Sequence, residues 1–228
     1  MSATSAEKTL ESGMSKAIVP VEFSEDALAL TLTAKYKDVL RYVAEWAMWM
    51  NWDGIVWRHE NTLKVFDLAR AVCREAANLP KATVPTKARL SESSTVAAVE
   101  RMARSDRQFA ATSDLWNADP LQLNTPGGVI DLASGKTLSH NLAHFHTKVT
   151  GTYRSSKKPE LWLNFLDRVT GGDEDLQAYL QRVSGYCLTG STQEHALFFF
   201  YGTGRQRLKR FHQHLGGNFG RLFENYAG

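Results

Sequence analysis

The sequence lacks any apolar run that approaches the roughly 18 residues of a membrane-spanning helix. Residues 1–13 alternate small, polar and charged side chains and lack the apolar core of a signal peptide. Cysteine is scarce, because Cys73 and Cys187 are the only two and neither belongs to a CxxC pair. These absences argue against a zinc ribbon and a disulfide framework. We expect a cytoplasmic protein with no membrane partner.

A large excess of one charge is missing from most of the chain. The formal net charge is +3, but residues 205–228 carry five basic residues against one acidic residue, which gives +4. The other 204 residues hold 22 basic and 23 acidic side chains, which gives −1. The net charge alone therefore does not predict nucleic-acid binding.

The hydrophobic pattern predicts an α+β fold that is mainly helical, with small antiparallel β-hairpins. Asp53 and Gly54 form a turn signal before a short strand at residues 55–57, and further turns and strands are expected within 121–140. Ser24 is the predicted N-cap of the first helix, and Pro80 and Pro85 mark the end of the second. The predicted helices span residues 24–33, 62–79, 93–104, 159–169 and 173–188.

The aromatic-rich stretch at residues 41–59 contains four tryptophans and allows two interpretations. A hairpin can pack its tryptophans against a neighbouring helix as part of a hydrophobic core. Alternatively, exposed tryptophans can provide a platform on which nucleic-acid bases stack. We favour packing. The four residues are Trp46, Trp49, Trp52 and Trp57.

Two groups of side chains could bind metal ions. Asp173 and Asp175 form a DxD pattern of the type that holds catalytic magnesium, but acidic residues after two glycines are also typical of a helix N-terminus. His140, His144 and His146 include an HxH pair that would lie on one face of a strand. We favour helix capping for the aspartates and a structural role for the histidines, and we predict no metal site.

A six-residue apolar run at 196–201 leads into Gly202, Thr203 and Gly204. A buried strand followed by a glycine-rich turn is how a phosphate-binding loop begins. A complete loop would have a lysine at position 208, where this chain has Leu208. The sequence therefore predicts the first strand of an α/β ATPase domain and an incomplete phosphate loop.

The ordered motifs of this chain resemble those of the region that precedes the superfamily 3 helicase in phage and plasmid DNA primases. The resemblance implies a part in DNA replication, with DNA as partner, self-association into a ring, and ATP and Mg²⁺ as cofactors of the full-length proteins. The motifs include Trp49, Trp-Asp-Gly at 52–54, Trp57, Ala-Val-Cys-Arg-Glu-Ala-Ala at 71–77, Asn-Thr-Pro-Gly-Gly-Val-Ile-Asp-Leu at 124–132, Thr-Lys-Val-Thr at 147–150, Phe-Leu-Asp-Arg-Val-Thr-Gly-Gly-Asp at 165–173, Gln-Arg-Val-Ser-Gly-Tyr at 181–186, Leu-Thr-Gly-Ser-Thr at 188–192 and Glu-His-Ala-Leu-Phe at 194–198.

The composition changes abruptly at Arg205, towards Arg, Gln, His and Gly. One hypothesis is a frameshift, because a reading frame displaced by one base permits a translation that resembles the family's phosphate loop and following helix. The alternative is a genuine basic tail that binds DNA phosphates. The expected divisions are a disordered leader at 1–22, a primase–helicase-associated α+β region at 23–150, a helical region at 151–195, the start of the ATPase at 196–204 and an aberrant tail at 205–228.

Three functions are compatible with these observations. The first is an N-terminal accessory region of a primase–helicase, truncated before the ATPase is complete and without catalytic residues or a cofactor of its own. The second is a stand-alone module that binds single-stranded nucleic acid. The third is a primase nucleotidyltransferase using Asp173 and Asp175. The candidate DNA-binding residues are Arg70, Arg74, Arg101 and Arg104.

Overall fold

The structure, a computed structural model, describes residues 20–195. Six α-helices and two small antiparallel sheets confirm the predicted α+β class. The predicted strand at 196–201, the glycine turn Gly202, Thr203 and Gly204, the tail at 205–228 and most of the leader lie outside the described residues. The predicted domain boundaries remain predictions.

The chain forms two compact units, and it passes between them three times. The first, here called the helical unit, comprises Met1–Lys37 and Asn61–Ala110. The second, here called the sheet unit, comprises Asp38–Glu60 and Ala111–Gly228.

The helical unit contains four helices, three of which the sequence pattern predicts. They are α1 (Glu25–Tyr36), α2 (Lys64–Ala77), α3 (Val84–Leu90) and α4 (Ser93–Ala103). Ser24 caps α1 as predicted, since its hydroxyl accepts a hydrogen bond from the amide of Ala27 at 3.2 Å. The unpredicted helix is α3. Pro85 was interpreted only as the end of the preceding helix, but it lies in the first turn of α3. Proline is tolerated in a first turn, and Thr83 caps this one.

The core of the helical unit is formed by the apolar faces of α1, α2 and α4. Helix α2 buries residues spaced by three and four positions, as the amphipathic pattern predicts. Burial raises the pKa of Cys73, which packs as a small apolar side chain. Helix α4 buries Val96 and Val99, whereas the side chain of Met102 is 39% exposed. The buried residues of α2 are Val65, Ala69, Val72, Cys73 and Ala76.

The first sheet of the sheet unit has four strands in the order β3-β2-β1-β4. They are β1 (Leu40–Val43), β2 (Met48–Trp52), β3 (Trp57–His59) and β4 (Ala110–Ala111), and β4 includes the last residue of the helical unit. Asp53 closes the predicted turn between β2 and β3, accepting hydrogen bonds from the amides of Ile55 and Val56. Burial acts to raise the pKa of Asp53, but these amides and Arg58 outweigh it, so the pKa lies below its ordinary value.

The second sheet contains β5 (Gln122–Thr125), β6 (Gly128–Asp131) and β7 (Thr137–Leu138), in that order. Gly128 has a φ of +132°, and a Cβ atom there would lie 2.5 Å from the carbonyl oxygen of Leu138. Any other residue would therefore collide with the neighbouring strand. The Asn-Thr-Pro-Gly-Gly motif thus has a structural explanation, to which Thr125 adds a hydrogen bond to the carbonyl of Gly128 at 2.7 Å.

Aromatic side chains form the centre of the sheet unit, which confirms packing as the main role of the 41–59 tryptophans. The predicted packing against a helix is wrong, because their aromatic partners are Trp116 and Phe145, which lie outside the α-helices. Trp57 is 1% exposed, stacks on Phe145 at 5.9 Å and donates a hydrogen bond to the carbonyl of Leu142 at 2.9 Å. Trp49 is also buried, whereas Trp46 is 38% exposed. The interpretation as an exposed platform for base stacking is therefore wrong for Trp49 and Trp57.

Helices α5 (Glu160–Thr170) and α6 (Glu174–Cys187) complete the described fold, and both were predicted. Asp173 caps α6, because its Oδ1 accepts a hydrogen bond from the amide of Leu176 at 2.9 Å. Gly171 ends α5 with a φ of +66°, a conformation that favours glycine. No helix within residues 20–195 has both the length and the apolar character needed to cross a membrane.

Candidate nucleic-acid interface

A pocket of about 450 Å³ lies in the helical unit, beside α2 and the junction of α3 with α4. We call it the arginine pocket, because two of its lining side chains are arginines predicted to bind DNA. Both guanidinium groups, two serines and three apolar side chains surround the same space. The lining residues are Phe66, Arg70, Arg74, Leu90, Ser91, Ser93 and Val96.

Arg70 and Arg74 supply the positive charge of the pocket. They are four residues apart on α2, so they lie one helical turn apart on the same face. Arg70 lies 3.4 Å from Asp67, with both side chains largely exposed, and such a pair contributes little stability. Arg74 forms no ion pair with any residue of the described chain. Both guanidinium groups can therefore turn to an anionic ligand at little cost.

Ser91 and Ser93 add hydroxyl groups from the junction of α3 with α4. The Ser91 hydroxyl donates a hydrogen bond to the carbonyl of Lys87 at 2.9 Å and retains its lone pairs as acceptors. Ser93 is the first residue of α4, and the side chain of the N-cap residue, Glu92, makes no capping hydrogen bond. The first-turn amides of α4 therefore have no side-chain cap.

The remaining wall of the pocket is apolar. Leu90 and Val96 are 1% and 5% exposed, and they belong to the core of the helical unit. Phe66 is half-buried and presents part of its ring to the pocket. The pocket thus combines a cationic and hydroxylic side with an apolar side.

Arg101 and Arg104 do not join this group. Both lie near the C-terminal end of α4, and Arg101 is about 12 Å along the helix axis from Ser93, at 1.5 Å per residue. Arg104 donates two hydrogen bonds to the buried carboxylate of Glu100, from Nε at 2.9 Å and from Nη2 at 2.7 Å. The structure therefore brings together two of the four predicted arginines and gives Arg104 a structural partner.

The aspartates and histidines that were considered as metal ligands do not come together in one site. Asp173 is engaged as a helix cap, as favoured. The HxH pair does not lie on a strand as expected, because Leu142–His144 forms a short 3-10 helix. Within residues 20–195, no group of three or more potential ligand side chains comes together.

The histidines are instead embedded in the sheet unit. The ring of His146 hydrogen-bonds Gln122 at 3.1 Å, and the ring of His140 hydrogen-bonds the carbonyl of Thr125 at 2.8 Å. Burial, reinforced by the nearby His144, lowers the pKa of His146 to about 4. His146 is therefore neutral at pH 7, which suits a structural role.

Sequence reasoning identified the arginines of the pocket but missed its other walls. The spacing of Arg70 and Arg74 placed them on the polar face of a helix, which is a signal that periodicity provides. Ser91 was not singled out, because α3, at whose end it lies, was not predicted. Phe66 and Ser93 lie on predicted helices, but the packing of α4 beside α2 was not predicted. The Ser-rich segment before α4 was the one sequence signal for this part of the pocket, because such a segment is typical of a helix N-terminus.

The chain matches one model of a protein family. No relative of the chain was found among curated proteins. The family model described as "D5 N terminal like" matches residues 29–171, which is more than half of the chain and includes the arginine pocket. The chain belongs to this family, whose domain is the N-terminal region of phage and plasmid primase–helicase proteins.

Proposed function

We propose that this chain is an accessory region of a DNA primase–helicase that holds DNA through the phosphate-binding side chains Arg70 and Arg74. The observation that carries the proposal is the pair of guanidinium groups at one pocket, neither of them committed to a strong internal ion pair. Arginine is well suited to phosphate, because its planar donors bind two oxygens at once. The family supports DNA as the partner.

The proposal does not include ATP hydrolysis by this polypeptide. After Gly204 the sequence departs from a phosphate loop, and Leu208 occupies the position of the lysine that would neutralise the phosphates. A frameshift at Arg205 is the explanation we favour for this departure. Reading the underlying nucleotides for the second frame tests that explanation, and an ATPase assay of the purified chain tests the missing activity.

A salt-dependent titration of single-stranded and forked DNA tests the binding proposal. The double variant Arg70→Ala/Arg74→Ala should bind about tenfold more weakly at moderate salt, and the slope of log K against log salt should fall by about two. Arg107→Ala is the matched control, because Arg107 is an exposed arginine that is not among the four candidates and does not line the pocket. Equal affinity of the double variant and the wild type would contradict the proposal.

Removal of residues 205–228 separates the pocket from the basic tail. If the shortened chain keeps the affinity and the salt slope of the full chain, the binding belongs to residues 1–204. If only the full chain binds, and binding collapses as salt rises, the tail accounts for the affinity and the accessory role proposed for Arg70 and Arg74 is wrong.

A stand-alone module that binds single-stranded nucleic acid by base stacking is a second candidate function, and one observation supports it. Trp46 is the most exposed of the four hairpin tryptophans, and its ring centroid lies 6.2 Å from that of His59. Trp46→Ala should lower the affinity for single-stranded DNA, by about 1 to 3 kcal/mol, if a base stacks there. An unchanged affinity would remove this candidate.

A further inference from the structure

We propose that the arginine pocket binds a single nucleotide unit that carries a 5′-phosphate, rather than the continuous phosphate backbone of a DNA strand. The phosphate lies against Arg70 and Arg74, and the base lies against the half-buried ring of Phe66. This proposal rests on the proposed function and names the ligand that its two arginines recognise.

The apolar wall is the first argument. Arginines that follow a DNA backbone need only to be exposed, since phosphate contacts carry no information about the bases. Here the arginines share a pocket with Phe66 and with two core residues, Leu90 and Val96. Leu90 and Val96 are almost fully buried, so the half-buried ring of Phe66 is the apolar surface that suits the flat face of a base. The ligand therefore has an apolar part as well as an anionic one.

The charge of the polar side is the second argument. A terminal phosphate carries a charge of about −1.5 to −2 at pH 7, whereas a backbone phosphodiester carries about −1. Two arginines match the terminal group, and the hydroxyl of Ser93 provides a donor for a further oxygen, whereas the hydroxyl of Ser91 already donates to the carbonyl of Lys87. The side chains present thus have enough charge and enough donors for one terminal phosphate.

The size of the pocket is the third argument. Its volume of about 450 Å³ falls within the range of pockets that enclose small ligands, about 300 to 1,000 Å³. A mononucleotide fits this space, whereas a run of several nucleotides does not. Two sources could supply the ligand, a free nucleotide or the 5′ end of a DNA strand, and both present the same chemistry.

Calorimetric titrations of the full chain distinguish these sources. The ligands are dAMP, deoxyadenosine, inorganic phosphate, and one oligonucleotide prepared with a 5′-phosphate and with a 5′-hydroxyl. We expect dAMP to bind at least about tenfold more tightly than deoxyadenosine, because the charge-assisted hydrogen bonds to the phosphate are lost in the nucleoside. A preference for the phosphorylated oligonucleotide identifies a strand end as the source, and its absence identifies a free nucleotide.

Variants assign each part of the ligand to its wall. Arg70→Gln/Arg74→Gln should abolish measurable dAMP binding, whereas Arg101→Gln should leave it unchanged. Phe66→Leu preserves an apolar side chain in the core and removes the ring, so it should weaken dAMP about fivefold while leaving inorganic phosphate unaffected. Glu92→Gln removes a negative charge between Ser91 and Ser93, and it should tighten dAMP binding about twofold.

The outcomes separate this proposal from the proposed function. If DNA binding depends on Arg70 and Arg74 but dAMP does not bind, the nucleotide pocket is wrong and the accessory DNA-binding role stands. If dAMP binds equally to the wild type and to the double glutamine variant, the pocket is also wrong. Loss of dAMP binding in a double variant whose circular dichroism matches that of the wild type supports the pocket.

Discussion

Arg104 and Glu100 form a two-point ion pair one turn apart on α4, and the carboxylate side chain is only 9% exposed. A carboxylate removed from water in this way needs its cation, since an unpaired buried charge costs far more than an unpaired exposed one. Arg104 therefore belongs to the stability of the helical unit, although its sequence position suggested DNA binding.

Arg104→Ala should lower the free energy of unfolding by about 2 kcal/mol, because it removes both hydrogen bonds of this ion pair from the buried Glu100 carboxylate. Arg101→Ala, which removes an exposed arginine from the same helix, should change it by less than about 0.5 kcal/mol. Urea denaturation of both variants measures the difference. Equal stability of the two variants would contradict the structural role of Arg104.

Gly128→Ala should destabilise the protein by more than about 2 kcal/mol, because the new Cβ atom meets the backbone of β7 and φ is positive there. Gly135→Ala is the matched control. Gly135 also has a positive φ, of +68°, but nothing lies within 4 Å of its added Cβ atom, so the cost should be about 1 kcal/mol. Thermal unfolding of both variants tests this order, and the reverse order would contradict the close approach of β6 and β7.

Stability should fall as the pH is lowered from about 6.5 to about 4, because His146 is buried and its pKa in the folded protein is about 4. In this window the unfolded chain takes up a proton that the folded chain does not, so stability rises with pH. The full loss amounts to about 3 kcal/mol for a shift of this size.

His146→Gln should remove this part of the acid sensitivity, whereas His59→Gln, at an exposed histidine of β3, should retain it. Urea denaturation at several pH values between 7.5 and 4.5 provides the measurement. A slope that is the same in the wild type and in His146→Gln would show that another group is responsible.

Asp173→Ala should cost about 1 kcal/mol of stability, since it removes the N-cap of α6. Asp175→Asn removes one favourable charge from the same first turn and should cost less, about 0.5 kcal/mol. Thermal unfolding with and without Mg²⁺ is the measurement. A large stabilisation of the wild type by Mg²⁺ that both variants lose would favour metal binding over capping.

Local signals predicted most of the fold. Ser24 and Asp173 begin helices because their side chains can accept hydrogen bonds from first-turn amides, a property visible in the sequence. The Asp53 turn and the strand after it follow from residue types at adjacent positions. Such features depend on neighbours within a few residues, so the sequence contains the information needed to place them.

The arginine pocket could not be predicted in the same way. Its walls come from α2 and from the α3–α4 junction, and Phe66 and Ser93 are 27 positions apart in the chain. Their proximity depends on how the helices pack, which periodicity does not specify. The short helix α3 was missed because Pro85 was interpreted as a helix end, although proline also suits a first turn. Two of the pocket's walls therefore remained unassigned until the tertiary structure was known.

The distribution of tryptophan between the two units gives each a separate spectroscopic signal. All six tryptophans lie in the sheet unit, at positions 46, 49, 52, 57, 116 and 162, and the helical unit has none. Intrinsic fluorescence excited at the indole band therefore reports on the sheet unit alone, where Trp57 is shielded from water. Far-ultraviolet ellipticity also registers the four helices of the other unit. Melting curves from the two signals would coincide if the units unfold together and separate if they do not.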